Sequence, residues 1–149
     1  MADLDMKVFI GMSRVMKSIT RESDKLFGTF DLTRGQFAVL EVLYHKGAMS
    51  IGRVADRILT TSGNIPVIIR NLEKRELLTK HRDEYDKRKW NLKLTDAGRE
   101  LVSRVYPLNE EIIKRHMAMF SADEQRMMVN CFKRIGGTTL TWNDQLRRR

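Results

Sequence analysis

Residues 49–98 read MSIGRVADRILTTSGNIPVIIRNLEKRELLTKHRDEYDKRKWNLKLTDAG, and the fold turns on how they are parsed. Ser50 is placed to cap a short helix running to Leu59, with Met49 before the cap and Val54 four residues into the helix positioned to staple across it. Thr60, Thr61 and Ser62 supply a turn and a second cap. Ile65, Ile68, Ile69 and Leu72 then recur with a helical period, which buries one side and leaves Thr61, Ser62, Asn64, Val67 and Arg70 looking elsewhere. Two short helices joined by a tight turn make a helix-turn-helix. Next come Leu77 to Arg82, a polar tip from Asp83 to Lys89, and Trp90 to Thr95, where Trp90, Leu92 and Leu94 alternate with Asn91, Lys93 and Thr95 as in a half-buried strand. A helix-turn-helix followed by a basic hairpin is a winged helix, an arrangement suited to laying its second helix in a DNA major groove with the hairpin beside the backbone.

The charge agrees. The 149 residues carry a formal net charge of +9, which favours a polyanionic partner. Within 51–94 the eleven cations outnumber the six acids by five, so over half of the excess lies in a third of the chain. Arg147, Arg148 and Arg149 add a basic tail, read as a solvated end. No transmembrane stretch is apparent, and acids stand at the N-terminus where a signal peptide carries cations, so a cytoplasmic location is expected. The single cysteine, Cys131, excludes an intrachain disulfide.

Outside the central stretch the chain reads as helical. Over residues 5–28, Val8, Met12, Val15, Ile19 and Leu26 form a stripe broadened by Phe9, Met16 and Phe27, more apolar surface than one side of a small domain needs. Thr33 and Gln36 form a capping box flanked by the staple pair Leu32 and Phe37, opening a core helix that stops at Gly47. Thr95 caps a helix of roughly 25 residues that is expected to bend, not break, at Pro107, because its apolar period continues in phase. Ser121 to Glu124 is a second capping box, opening a last helix with Met127, Met128, Cys131, Phe132 and Ile135 on its apolar side and Gly136-Gly137 at its end. The expected fold class is therefore mainly α with a small β-hairpin wing. An N-terminal dimerisation helix over 1–30 and C-terminal dimerisation helices with a basic tail over 99–149 flank a winged helix-turn-helix over 31–98.

The chain resembles the MarR (multiple antibiotic resistance regulator) family of transcriptional regulators. The resemblance rests on Leu32-Thr33, Gln36-Phe37 and Leu40, and on Leu72-Glu73-Lys74-Arg75 with Leu77. It is carried most specifically by Asp86-Lys87-Arg88 followed by Leu94-Thr95-Asp96-Ala97-Gly98, the family's Asp-x-Arg and Leu-Thr-x-x-Gly wing pattern. Thr60 to Ile65 also looks like a branch that answers to phenolic or quinone compounds. The resemblance implies a homodimeric repressor on a near-palindromic double-stranded operator, released by a small aromatic or phenolic effector, with Arg88 as the minor-groove arginine. Three departures stand out: Pro66-Val67 where many members have Thr-Arg, Arg70 in place of an acid, and Glu76 in place of glycine. Pro66 requires the recognition helix to begin late, near Ser62 or Asn64, and Glu76 requires either strain of about 1 kcal/mol or another cap geometry.

The residues nominated for DNA are Thr60, Thr61, Ser62, Asn64, Val67 and Arg70 on the recognition helix, and Arg82, Asp86, Lys87, Arg88 and Lys89 on the wing. Thr61, Ser62 and Asn64 can hydrogen-bond phosphates or base edges, and Arg70 reaches phosphate or an outer base. Arg82, Lys87 and Lys89 contact phosphate, with Asp86 steadying the wing turn or the Arg88 guanidinium. His45, His81 and His116 are scattered, with no His or Cys pair at ligand spacing, so no metal and no cofactor are expected. Cys131 reads as a buried structural thiol and the methionines as core fillers, some of them available to line an effector pocket. No glycine-rich phosphate loop, nucleophile elbow or His-Glu-x-x-His site supports an enzyme. The competing reading is a winged helix used only for protein assembly, for which a basic wing has no purpose.

Overall fold

The computed structural model describes residues 3–58 and 64–135. In chain order the elements are α1 (Leu4–Gly28), α2 (Arg34–Lys46), β1 (Met49–Ser50), α3 (Ile51–Arg57), α4 (Ile65–Lys74), β2 (Leu78–Arg82), β3 (Trp90–Leu94), α5 (Asp96–Met117) and α6 (Ala122–Ile135). Two compact units divide the chain, residues 1–112 and 113–149. Among the described residues no helix is long and apolar enough to cross a membrane.

Local chemistry sets most of the boundaries in the first unit. The Asp3 side chain accepts from the Leu4 N–H and starts α1. The Thr33 hydroxyl accepts from the Gln36 N–H (3.2 Å) while the Gln36 side chain accepts from the Thr33 N–H (3.0 Å), closing the capping box that opens α2. Leu32 and Phe37, the staple across it, are both buried, and Phe37 stacks on Phe27 of α1 at 4.4 Å. Gly47 ends α2 with φ 78° and ψ −172°, a positive-φ conformation essentially restricted to glycine, though not the left-handed helical one expected there. The Ser50 hydroxyl accepts from Arg53 N–H and opens α3, which stops at Arg57, two residues short of the expected Leu59.

The core joins α2, α3, α4 and the sheet through Val39, Leu40, Leu43, Val54, Leu72, Leu78 and Leu92, with Val102 and Val105 of α5. The sheet has three strands in the order β1-β3-β2, all antiparallel, with Leu78 opposite Leu94, Arg82 opposite Trp90 and Met49 opposite Leu92. The wing is thus more than the expected hairpin. Two residues, Met49 and Ser50, add an edge strand, and a strand that short has no alternation by which a sequence could announce it.

Thr95 Oγ1 accepts from the Gly98 N–H (3.0 Å) and caps α5, which runs unbroken through Pro107. The proline is accommodated inside the helix as its in-phase apolar period requires. In the second unit, Ser121 N–H donates to the Glu124 carboxylate (2.7 Å) and Glu124 N–H to Ser121 Oγ (3.2 Å), the second capping box. Cys131 is half-buried, with Arg134 Nη2 3.2 Å from its sulfur, which corrects the expectation of a buried thiol. Among the described methionines only Met49 is buried in the core; Met12, Met117 and Met128 are half-buried, and Met6, Met16, Met119 and Met127 are exposed and do not fill gaps within this chain. Gly136-Gly137 and the arginine tail lie outside the described residues.

Candidate nucleic-acid interface

Helix α4 is built to hold one face inward. Ile68, Ile69 and Leu72 are buried, and at the spacing of three and four residues this leaves Asn64, Val67, Arg70, Asn71 and Lys74 along the opposite side. Asn64 is the N-cap residue, but its side chain makes no capping hydrogen bond; its carbonyl accepts from Val67 and Ile68 instead. The amide is therefore not consumed by its own helix. Pro66 falls in the first turn, where its missing N–H does least harm, and the helix begins late, as that proline required. Thr60, Thr61 and Ser62 lie outside the described residues. Asn71 and Lys74 lie on the same side of α4, four residues after Val67 and Arg70, a helical spacing legible in the sequence itself.

The far end of α4 is where Glu76 departs from glycine. Glu76 adopts φ 56°, Leu77 N–H reaches back to the Leu72 carbonyl (3.0 Å), and Glu76 N–H reaches the Glu73 carbonyl (2.9 Å). Glu76 thus keeps the left-handed cap that glycine ordinarily supplies, with the strain of a side chain there and no change of geometry.

The wing tip is organised by an acid that the nominations did not include. Asp83 Oδ1 accepts from the N–H groups of Tyr85 (3.0 Å) and Asp86 (2.9 Å), and Oδ2 accepts from the Asn91 amide (2.8 Å). The Asp86 N–H, then the Asn91 amide and the Tyr85 N–H, hold the Asp83 carboxyl below the usual carboxylate range. Asp86 has the steadying role expected of it. Its Oδ1 accepts from the Arg88 N–H (3.1 Å) and lies 3.6 Å from the Arg88 guanidinium, and Oδ2 lies 3.8 Å from Lys89 Nζ.

Arg88 itself projects from this turn with its side chain 96% exposed, and Lys87 and Lys89 are exposed beside it. Arg82 is placed differently from the others. Its guanidinium sits 4.9 Å over the Trp90 ring and donates to the Lys87 carbonyl (2.7 Å), so it braces the wing from within. Lys80 lies over the same ring at 4.5 Å. This accounts for Trp90, which is half-buried under cations where Leu92 and Leu94 are fully buried. The winged helix therefore brings together an outward helix face, headed by an Asn64 amide that makes no capping bond, and a hydrogen-bonded basic tip, a combination fitted to base edges and phosphates.

Comparison with known proteins agrees with that chemistry. The family described as transcriptional regulator SarA/Rot matches residues 23–105. The HTH-type transcriptional regulator MhqR of Bacillus subtilis (strain 168) is 32% identical over 136 residues, covering 91% of this chain and 94% of that protein. Among solved structures, AbsC, a MarR family transcriptional regulator from Streptomyces coelicolor, superposes with a TM-score of 0.83 at 19% identity, covering 91% of this chain and 94% of that one. MepR of S. aureus in its complex with DNA superposes with a TM-score of 0.72 at 24% identity, covering 88% and 96%.

Proposed function

The chain belongs to the MarR-like SarA/Rot family of winged helix-turn-helix transcriptional regulators, and we propose that it acts as a homodimeric repressor on a near-palindromic operator. The observation that carries this reading is the wing: Asp83 and Asp86 accept from the N–H groups of the turn, and Arg88, with its guanidinium 3.6 Å from Asp86, keeps its side chain exposed at the tip. A winged helix is suited to placing α4 in the major groove with the wing along the adjacent minor groove, and MepR, whose fold is similar, is solved in complex with DNA. Asn64, Val67 and Arg70 read or line the major groove; Arg88 enters the minor groove; Lys87 and Lys89 contact phosphates. Thr60, Thr61 and Ser62 join the recognition surface on the strength of their sequence position.

The dimer is supported by the first half of α1. Leu4, Val8, Phe9, Val15 and Met16 are exposed there, a long apolar stripe that water does not stabilise and a second copy of the chain would cover. A dimer with two-fold symmetry presents two recognition helices to half-sites about one turn of DNA apart, roughly 34–36 Å. Release by a small aromatic or phenolic effector and a cytoplasmic location complete the reading, the first resting on the likeness of Thr60 to Ile65 to the phenol-responsive branch.

The test is selection of a genomic fragment library by the purified chain at moderate salt, with Arg88→Ala in parallel. Enrichment of one inverted repeat by the wild type, weakened in the variant, supports an operator reader. A folded dimer that enriches nothing across several salt concentrations returns the winged helix to protein assembly.

A further inference from the structure

The C-terminal end of α4 is held from two sides by the two long helices that leave the winged helix. On one side, Arg75 Nη1 donates to the Asp31 carbonyl (2.5 Å) and Nη2 to the Phe30 carbonyl (3.3 Å), in the turn that follows α1. On the other, Thr95 Oγ1 donates to the Glu76 carbonyl (2.6 Å) and Thr95 N–H to the Leu77 carbonyl (3.2 Å). Gly98, in the first turn of α5, lies so close that a Cβ there would come 1.9 Å from the Leu77 carbonyl oxygen.

Both halves of this joint carry left-handed backbone. Asp31 (φ 53°) and Glu76 (φ 56°) are the non-glycine residues of positive φ among those described; the Asp31 carbonyl accepts from Arg75, and Glu76 follows it in sequence. Strain of this kind persists where the surroundings over-determine the backbone. Arg75 is itself exposed, and an exposed guanidinium adds little to stability. Its planar fork, engaged on two successive carbonyls, instead fixes a direction.

We propose that Arg75 is a positioning residue that ties the end of the recognition helix to the end of α1, so that the spacing of the two recognition helices in the dimer is set through this joint. The consequence is specificity for half-site spacing, which no base contact provides. This inference rests on the dimeric operator reader proposed above.

Pulsed electron paramagnetic resonance tests it on the full chain, with a spin label at Arg70→Cys in a Cys131→Ser background and thermal melting measured alongside. The wild type should give one narrow distribution of inter-label distances. Arg75→Gln should broaden and shift it while the melting temperature stays close to that of the parent, and Arg75→Lys, which keeps the charge and loses the fork, should fall between. Glu76→Gly relieves the left-handed strain without cutting the tie, and should raise the melting temperature and leave the distribution narrow.

On an inverted repeat selected by the wild type from random duplexes, Arg75→Gln should gain roughly threefold to tenfold in relative affinity for repeats lengthened or shortened by one base pair. A distribution as narrow in Arg75→Gln as in the parent overturns the inference alone, as does a lowered melting temperature without broadening. No inter-label distance in the wild type overturns the dimer, and the inference with it. A narrow distribution in a chain that selects no repeat overturns the operator reading, and the effect of Arg75→Gln on distance still decides the joint.

Discussion

Helix α4 and the wing both hold cations out to solvent, and they do so by opposite means. Helix α4 is placed by burial: Ile68, Ile69 and Leu72 lie in the core, each worth about 1.5–3 kcal/mol when fully removed from water, with little dependence on direction. The wing tip, residues 83–89, buries no side chain completely and takes its course from carboxylates on backbone N–H groups. Such bonds are directional, and each contributes a net stabilisation of only about 0.5–1.5 kcal/mol when neutral and more when charge-assisted. The recognition helix is therefore strongly held and the wing accurately aimed. Solution conditions that alter charge should disturb the second long before the first.

The sharpest way to break both at once is at the corner they share. Gly98→Ala should destabilise the chain by more than about 4 kcal/mol, because the added Cβ meets the Leu77 backbone and not a side chain that could turn away. Thermal or urea unfolding checks this, and a melting temperature near that of the parent would show that the two backbones can separate cheaply.

Arg88→Ala separates recognition from folding. It should weaken operator binding by about 1–3 kcal/mol and lower the salt dependence by about one ion, with the melting temperature unchanged. Anisotropy titrations across salt concentrations measure it, and equal affinities and salt slopes for the two proteins would remove Arg88 from the DNA interface.

Asp83→Ala should cost severalfold in DNA affinity while leaving α4 and the core intact, since it releases the tip and the Asn91 side chain at the end of β3 but no buried apolar contact. The same contrast has a pH signature. The folded Asp83 carboxyl is held below its unfolded value of about 3.9, so its contribution is present above that pH and is lost as pH falls through the lower, folded value. Amide exchange of residues 83–89 should rise at acid pH before that of α4, and simultaneous loss would deny that the wing is independently held.

The smallest effect expected is on α2, beneath both regions. Burial pushes the half-buried Glu41 up to about 7. A raised folded pKa means that stability is fully present below the unfolded value of about 4.3 and is lost as pH rises through about 7. Glu41→Gln should accordingly raise the melting temperature by a few degrees at pH 8, with the gain fading toward pH 4. An equal gain at both pH values would place its origin in packing.

Much of the site was legible because its determinants are local. The capping boxes at Thr33–Gln36 and Ser121–Glu124, the late start imposed by Pro66 and the Asp86 turn each involve residues a few positions apart, where spacing predicts contact. The charge of Arg82 is visible in the sequence, but its engagement with Trp90 follows from a cross-strand register. Asp83, unlike Asp86, belongs to no Asp-x-Arg pattern, and only the folded turn brings the three donors together on it. Arg75 and its two carbonyls stand more than forty residues apart, beyond any periodic signal.

By itself, then, the sequence determined the order of helices, their caps, the winged helix and the outward face of α4, since these follow from hydrophobic period and from hydrogen bonds across one turn. Tertiary structure alone decided that Met49–Ser50 is a strand, that Glu76 is left-handed, that Gly98 must lack a side chain and that Arg75 joins two helix ends. The division has a physical cause. Propensity and capping act within a few residues, whereas strand pairing, close backbone approach and a guanidinium's choice of carbonyl depend on segments distant in sequence that burial of a common core has brought together.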